Sequence, residues 1–346
     1  MATQQDVGGV PFSVAHHFHP FRLLELPPEI VDLIDAPHPP HLTLKSHAPR
    51  PSAASGGPSA KPAYAVLCTP NKTFQLRQVQ TSNSLFVTQP ALETHGNAIP
   101  IPATCAIASC TATLELHPST ASAVASLREA LPVYDIIAGD VDATSNGRSK
   151  ASMLDDVPMS AGECQAAWIE AIAFEHEGSS YQPSPNALVQ VWRSINAAAL
   201  AEGIKLDSQF LTADLTRAAA EDGHPEALIE AILVYLAQAT SDHTGPWSSL
   251  HRAKTVQFAG AQLLKAKRGD DFLIADFTDT WEDRLPEAWR KDARLDVIEA
   301  QYEFPSNTTI RAKGKSMTGS NSEDPNTATK PSARKWHEKF GKTRKK

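Results

Sequence analysis

The chain has 346 residues, of which 41% are hydrophobic and 21% are charged, and its formal net charge is −7. This length is sufficient for two or more domains with hydrophobic cores. The start of the chain has no basic segment followed by an apolar core, and the longest apolar run, at 227–237, is interrupted by Glu230. Neither a signal peptide nor a membrane span is therefore expected.

The charge is unevenly distributed along the chain. Residues 305–346 contain 11 Lys/Arg and 3 Asp/Glu, a balance of +8, so residues 1–304 carry about −15. An acidic body with a basic tail suggests protein contacts through the body and a polyanion at the tail.

The N-terminal part has the pattern of an antiparallel sheet. After a segment rich in Pro, Ser and Gly at 46–62, residues 65–87 read "AVLCTPNKTFQLRQVQTSNSLFV". Alternation in "TFQLR" is typical of a half-buried strand, and "TPNK" and "TSNS" predict turns, so three short strands are expected. Further strands are predicted at "CAIASC" and "TATLELH". Short strands without intervening helices favour an antiparallel barrel or sandwich, with a helix in "STASAVASLREAL" packing on it or capping it.

From residue 151 the hydrophobic period becomes helical. Ser160 and Glu163 have the spacing of a capping box at the start of a helix, and "AFEHEGSSYQ" predicts a hairpin around a Gly-Ser turn. Together with a short helix in "KASMLDDVPM", this order is the winged-helix pattern. A second such unit is predicted near 253–312, with helices at "KTVQFAGAQLLKAK", "DFLIADFTDTWEDRL" and "ARLDVIEAQYEF". The tryptophans at 168, 192, 281 and 289 are expected in helical cores.

The sequence therefore predicts a multidomain α+β protein, an N-terminal antiparallel β-barrel-like dimerisation region followed by winged-helix units. The predicted divisions are a β-rich region at 1–140 with a flexible insert at 46–62, a first winged helix at 151–205, a helical connector and second winged helix at 206–312, and a disordered basic tail at 313–346.

Motifs that would mark an enzyme are absent from the sequence or incomplete. "GKS" at 314–316 lacks the P-loop glycine, because Thr309 stands at that position, and "GKSMTG" does not fit the G-x-S-x-G elbow. The four cysteines form no C-x-x-C pair and have no zinc-ligand spacing, so buried free thiols are expected. No enzymatic activity, cofactor or metal is therefore expected.

The tail "ARKWHEKFGKTRKK" is the one nucleic-acid-binding candidate. Lysines and arginines that neutralise phosphates, interleaved with Trp336 and Phe340, are typical of sequence-independent binding. A solvated tail or a nuclear-import signal explains the same residues. The candidate nucleic-acid contacts include basic residues on the N-terminal side of this segment. They are Arg311, Lys313, Lys315, Arg334, Lys335, Lys339 and Lys342.

Several segments resemble one family. "FRLLELPPEIVDLI", "AVLCTPNKTFQLRQVQTSNSLFV", "TATLELHPSTASAVASLREAL", "PEALIEAILVYL" and "FLIADFTDTWEDRLPEAW" are similar to segments of the sister chromatid cohesion protein DCC-one family. The resemblance implies a non-catalytic, nuclear subunit of the alternative, cohesion-linked replication factor C clamp loader. That complex loads or unloads the sliding clamp PCNA during replication and supports sister chromatid cohesion.

The resemblance also implies the partners. The β-rich region would bind a small clamp-loader subunit and the C-terminal end of the large ATPase subunit, and the winged helices would contact DNA and polymerase epsilon. The open edges of the sheet would be completed by another chain. The expected partner-binding residues are Tyr64, Val66, Phe74, Leu76, Leu85, Phe86, Leu114 and Leu116.

Two questions stay open at this point. The family usually has a third winged helix where this chain has its basic tail. The first question is whether the tail takes the place of that winged helix in DNA binding. A winged-helix transcription or chromatin factor is the alternative, but the candidate recognition helix "AGECQAAWIEAI" contains two glutamates and no lysine or arginine. A hydrolase or transferase has no supporting set of residues.

Overall fold

A computed structural model of the chain describes residues 10–46, 64–93, 100–136, 147–238, 245–267 and 269–313. Residues 47–63, which include nearly all of the predicted insert, and the basic tail from residue 314 lie outside the described residues. The described part is a mixed α+β structure in which a curled half-barrel sheet joins a helical body, as the α+β prediction requires.

The N-terminal sheet contains six strands and one short helix. Their bounds are β1 Phe12–Val14, β2 Leu23–Glu25, α1 Pro28–Ile34, β3 Thr43–Ser46, β4 Ala65–Cys68, β5 Thr73–Glu93 and β6 Ile101–Pro118. The order across the sheet is β1-β6-β5-β4-β3, and β2 also pairs with β6. β5 and β6 form a long antiparallel hairpin, whereas β1 and β2 run parallel to β6.

The predicted turn at "TSNS" is wrong, because β5 continues through it. Gln80 lies opposite Ala112 and Leu85 lies opposite Cys110, so four residues of β5 face one residue of β6. Such an insertion is a large bulge, which bends a strand without ending it. The two strands predicted separately at "CAIASC" and "TATLELH" are likewise parts of the single strand β6.

The sheet has its own small hydrophobic core at the end nearest β4. Ile30 from α1 is buried there against Leu67, Phe74 and Leu116. α1 presents Ile30 to the sheet, and Pro28 at its first position suits the fixed φ of proline. The core therefore fixes one half of the hairpin, and the other half extends beyond it.

The helical body contains eight helices, eight short strands and two 3-10 helices among the described residues. The bounds in the first half are α2 Ala123–Ala130, β7 Val133–Tyr134, α3 Lys150–Asp156, α4 Ala161–Glu170, β8 Phe174–His176, β9 Ser179–Pro183 and α5 Pro185–Ala201. The bounds in the second half are β10 Phe210–Leu211, α6 Thr212–Ala220, α7 Glu226–Leu236, β11 Trp247–Ser248, α8 Arg252–Ala266, β12 Phe272–Leu273, α9 Ile274–Glu282, β13 Tyr302–Ser306 and β14 Thr309–Ala312, with 3-10 helices at Glu287–Asp292 and Leu295–Gln301.

The first helical cluster is built around α4. The predicted capping box is present, since Ser160 and Glu163 satisfy each other's backbone amides. The β8–β9 hairpin is also present, but its turn is Glu177–Gly178, both with positive φ, rather than the predicted Gly-Ser. α2 packs with α3 and α4, where Leu127 is buried, and so belongs to this cluster rather than capping the sheet.

The larger core holds three of the four tryptophans that were predicted to lie in helical cores. Trp192, Trp281 and Trp289 are buried there, and Trp168 is buried in the cluster around α4, so the prediction that all four lie in cores is confirmed. The helix predicted at "ARLDVIEAQYEF" is instead a kinked 3-10 helix followed by β13. One order of elements, helix, two-residue strand and helix, occurs both at 185–220 and at 252–282.

Candidate partner interface

The long hairpin has an open edge. β5 has 21 residues, and β4 pairs with only three of them, Thr73, Phe74 and Gln75. Along 76–80 and 85–93, no strand of the described chain pairs with β5 on the side of β4. The outer edge of β6 is different, because β1 and β2 both pair with it. A row of unpaired backbone groups on an edge strand is a template for a strand from another chain.

Apolar side chains are exposed around the far half of this hairpin. We call residues 81–93 and 101–111 the distal hairpin. Leu85 and Phe86 are about half exposed, at 50% and 51%, and Leu92 is exposed at 70%. As neighbours in a strand, Leu85 and Phe86 lie on opposite faces, and Phe12 from β1 contacts the Phe86 ring edge-on at 6.4 Å. The distal hairpin therefore exposes apolar groups on both faces beside its open edge.

The structure divides the eight predicted contact residues into two groups. Val66, Phe74 and Leu116 are buried within this chain, so their predicted direct contact with a partner needs correction: they support the sheet from inside. Leu76 packs against the same small core. The side chains left accessible are those of Leu85 and Phe86, which are exposed, and of Tyr64 and Leu114, which are partly buried.

Sequence reasoning missed three residues of this surface. Leu92 and Ile101 flank the far end of the hairpin, and Phe12 lies on β1 beside Phe86. The alternation that located the strand near Phe74 is broken by the polar run before Leu85. β5 also runs through Pro90, which is tolerated because β5 is an edge strand there.

A joint connects the sheet to the helical body. The amide of Gly162 in α4 donates to the carbonyl oxygen of Pro70 at 2.8 Å. The Lys45 ammonium donates to the carbonyl oxygens of Leu154 and Val157 at 3.1 and 3.2 Å. A cation is favourable there because it lies beside carbonyl groups at the C-terminal end of α3. The joint fixes the base of the hairpin on the helical body.

Polar groups complete this joint. The Ser160 amide donates to the Thr73 hydroxyl oxygen at 2.7 Å. The Thr73 hydroxyl in turn donates to the Glu163 carboxylate, which also accepts from the Ser160 hydroxyl. Ser160 and Thr73 are buried, so the capping box of α4 is also part of the contact with β5.

The thiols at the joint are not set up as nucleophiles. Cys68 and Cys164 are both buried. Burial raises the pKa of Cys164 to about 11, and it also raises the pKa of Cys68. Because the thiolate and not the thiol is the nucleophile, a raised pKa makes both side chains poor nucleophiles near neutral pH. All four cysteines are free; Cys68, Cys110 and Cys164 are buried, as predicted, whereas Cys105 is only partly buried.

Most of the predicted nucleic-acid contacts lie outside the described residues, namely Lys315, Arg334, Lys335, Lys339 and Lys342. Arg311 is described, and its guanidinium pairs with Glu303 at 2.7 Å and with Asp271 at 3.7 Å. A phosphate would have to compete with these two carboxylates. Lys313 is exposed at the end of the described chain.

A metal site and a membrane-spanning helix have no candidate residues in the described part of the chain. Within the described ranges no group of three or more His, Cys, Asp or Glu side chains could hold a metal ion. No helix in the part of the chain that the structure describes is long and apolar enough to cross a membrane.

Comparison with known proteins identifies the family. The model of the family described as sister chromatid cohesion protein Dcc1 matches residues 21–315. No curated protein matches the chain. The match covers both the open-edged hairpin and the helical body, and it agrees with the resemblance of the strand and helix segments. The chain therefore belongs to the sister chromatid cohesion protein Dcc1 family, a family of non-catalytic factors with a role in sister chromatid cohesion.

Proposed function

We propose that this protein is a non-catalytic subunit of the cohesion-linked clamp loader that acts on PCNA, and that the distal hairpin is its docking site within that complex. The small clamp-loader subunit and the C-terminal end of the large ATPase subunit would add strands to the open edge of β5 and complete a barrel. The observation that carries the proposal is the edge of β5 at 76–80 and 85–93, with which β4 does not pair.

The exposed apolar groups support the same proposal. Fully burying a leucine or phenylalanine side chain is worth roughly 1.5–3 kcal/mol, so completing the burial of half-exposed Leu85 and Phe86 is worth about 1 kcal/mol each. Added strands also satisfy backbone groups that now face solvent. Backbone hydrogen bonds along the edge would supply affinity, and the exposed apolar side chains would select the partner that fits.

The helical body would serve as the second contact region. We assign winged-helix units to 151–205, where α3 and α4 precede the β8–β9 hairpin, and to 206–312, where α8, β12 and α9 precede the β13–β14 hairpin. The order of helix, strand and helix at 185–220 crosses the boundary between these two units and suggests that the connector takes part in a further one. We assign contacts with polymerase epsilon and DNA to these units and the basic tail. A nuclear location follows from a role at replicating chromosomes.

The test is co-expression of the full chain with the small clamp-loader subunit from the same genome, followed by native mass measurement. A one-to-one complex is expected. Leu85→Asp with Phe86→Asp should abolish it, whereas Val133→Asp, at a side chain 62% exposed on the helical body, should not. Equal binding by both variants, in chains with unchanged melting temperature, would exclude the distal hairpin as the docking site.

A further inference from the structure

A groove on the helical body is independent of the partner interface. It lies between the C-terminal end of α5 and the segment that follows α9, and its volume is about 830 Å³. We call it the α5 groove and define it by residues 196–207 and 283–291. Leu206 and Leu285, both buried, form part of its lining, and Leu200 at its rim is 85% exposed. Leu200 has the largest exposed fraction among the large hydrophobic side chains of the described chain.

Hydrogen bonds between α5 and the segment after α9 hold the two walls of the α5 groove together. Trp192 donates its indole N–H to the carbonyl oxygen of Arg284 at 2.9 Å. The Arg284 guanidinium donates to the carbonyl oxygen of Val189 at 3.2 Å, and Trp289 is buried below the second wall. The groove is thus a preformed feature of the helical body, of the size range that suits one or two aromatic side chains.

Carboxylates surround one side of the groove. Asp276 and Asp279 are exposed on α9, and Asp283 and Glu287 follow at the groove itself. None of these four forms an ion pair within the described residues. The lining of the groove itself is balanced in charge, because it contains three carboxylates, of Asp207, Asp283 and Glu287, and three cations, of Lys205, Arg290 and Lys291. The excess of negative charge therefore lies on α9. The acidic residues of α9 extend the negative side of the groove toward the sheet formed by β12, β14 and β13.

The basic tail begins beside this sheet. β14 pairs with β12, and β12 leads directly into α9. α9 has nine residues and so spans about 13 Å, which is the distance along the helix from this sheet to the groove. Residues 314–333 separate the end of the described chain from the segment 334–346. A connection of 20 residues spans on average about 25 Å, so this segment is within reach of the groove.

The segment 334–346 complements the carboxylates of α9 in charge and the groove in apolar groups. It carries seven Lys/Arg and one Glu, and Trp336 and Phe340 are four residues apart. We propose that residues 334–346 of this chain dock in the α5 groove, with the two aromatic side chains against Leu200 and Leu285 and the basic side chains along the carboxylates of α9. Docking in this way would withhold the basic tail from polyanions.

Photo-crosslinking in the intact chain tests the docking directly. A photoreactive phenylalanine analogue replaces Trp336, the monomer is irradiated at low concentration, and crosslinked peptides are identified by mass spectrometry. Intramolecular crosslinks to 196–207 or 283–291 are expected. Crosslinks confined to other regions, or the absence of intramolecular crosslinks, would overturn the proposal. The crosslinking experiment does not involve the small clamp-loader subunit. A negative crosslinking result would therefore leave the proposed function intact.

Matched variants test whether the α5 groove is the site at which residues 334–346 dock. Leu200→Arg should lower the yield of these crosslinks at least about fivefold, a loss of roughly 1 kcal/mol in docking free energy. Val133→Arg adds the same charge at another exposed position of the helical body and should not lower it. On a heparin column, Leu200→Arg should also elute at higher salt than Val133→Arg, because only the first change releases the tail. Equal crosslinking, or equal elution, by the two variants would contradict the proposal.

Discussion

The amide of Gly162 donates to the carbonyl oxygen of Pro70 at 2.8 Å, and this contact joins the first turn of α4 to the loop between β4 and β5. The approach is close because residue 162 has no side chain. A Cβ there would lie 2.6 Å from Asn71 Oδ1 and 3.0 Å from Pro70 O. The orientation of the hairpin on the helical body therefore depends on a glycine.

Gly162→Ala should destabilise the protein by about 1–3 kcal/mol, since inserting a carbon into a filled contact forces backbone or side-chain shifts. Thermal and denaturant unfolding would measure the loss. Gly245→Ala is a suitable control, because no atom lies within 4 Å of the added Cβ. A variant at 162 as stable as the control would show that the joint adapts without strain.

Ser160→Ala should also weaken the joint. Ser160 is fully buried, its hydroxyl accepts from the Glu163 amide, and its own amide donates to Thr73. Loss of an N-cap hydroxyl lowers the free energy of unfolding by about 0.5–2 kcal/mol. Urea unfolding would measure the change against Ser126→Ala in α2, which should shift stability by at most about 0.5 kcal/mol. Equal effects of the two substitutions would contradict the role assigned to Ser160.

Gly260 and Trp281 should show strong coupling in a double-mutant cycle. A Cβ at Gly260 would overlap the Trp281 indole, whose N–H donates to the carbonyl oxygen of Val256 at 3.0 Å. Gly260→Ala is therefore expected to destabilise the wild-type chain by about 1–3 kcal/mol, and by less in a Trp281→Phe background, where the ring is smaller. Additive effects in denaturant unfolding would mean that α8 moves away from α9 instead.

His224 gives the protein a pH-dependent stability. Burial lowers the pKa of His224, and the nearby Asp222 carboxylate opposes this shift only in part. Ser194 Oγ lies 3.0 Å from His224 Nε2. Below the unfolded pKa near 6.5, the unfolded chain binds more protons than the folded chain, so stability falls as the pH is lowered from 6.5 through the folded pKa.

Melting temperatures between pH 8 and pH 5 would measure this dependence. His224→Gln removes the titration, so its melting temperature should fall less over that range than that of the wild type. The other histidines are shared by both chains and cancel in the comparison. Parallel curves for the two proteins would show that His224 does not contribute.

The elements that the sequence predicted correctly depend on local patterns. The capping box of Ser160 and Glu163, the strand at Phe74 and the burial of Trp281 follow from spacing and side-chain type alone. The length of β5 could not be predicted in this way. Its continuation past the bulge depends on pairing with β6, whose partner residues lie beyond the local window in which strand alternation can be read.

The candidate site was predicted only in part for the same reason. Leu85 and Leu116 have similar patterns in the sequence, yet one is exposed and the other lies in the small core beneath α1. The difference is decided by Ile30, which covers one half of the hairpin and not the other. A pattern shows that a face is apolar, but not which chain covers it.

The most direct test of the proposed function is hydrogen exchange along β5 in the full chain, with and without the small clamp-loader subunit. Amides of residues 77–93 that do not pair with β6 should exchange quickly in the free protein and at least about tenfold more slowly in the complex, because an added strand would accept their hydrogen bonds. Amides of α8 should be unchanged. Unaltered exchange along β5, in a complex whose mass shows the subunit bound, would mean that the partner docks elsewhere.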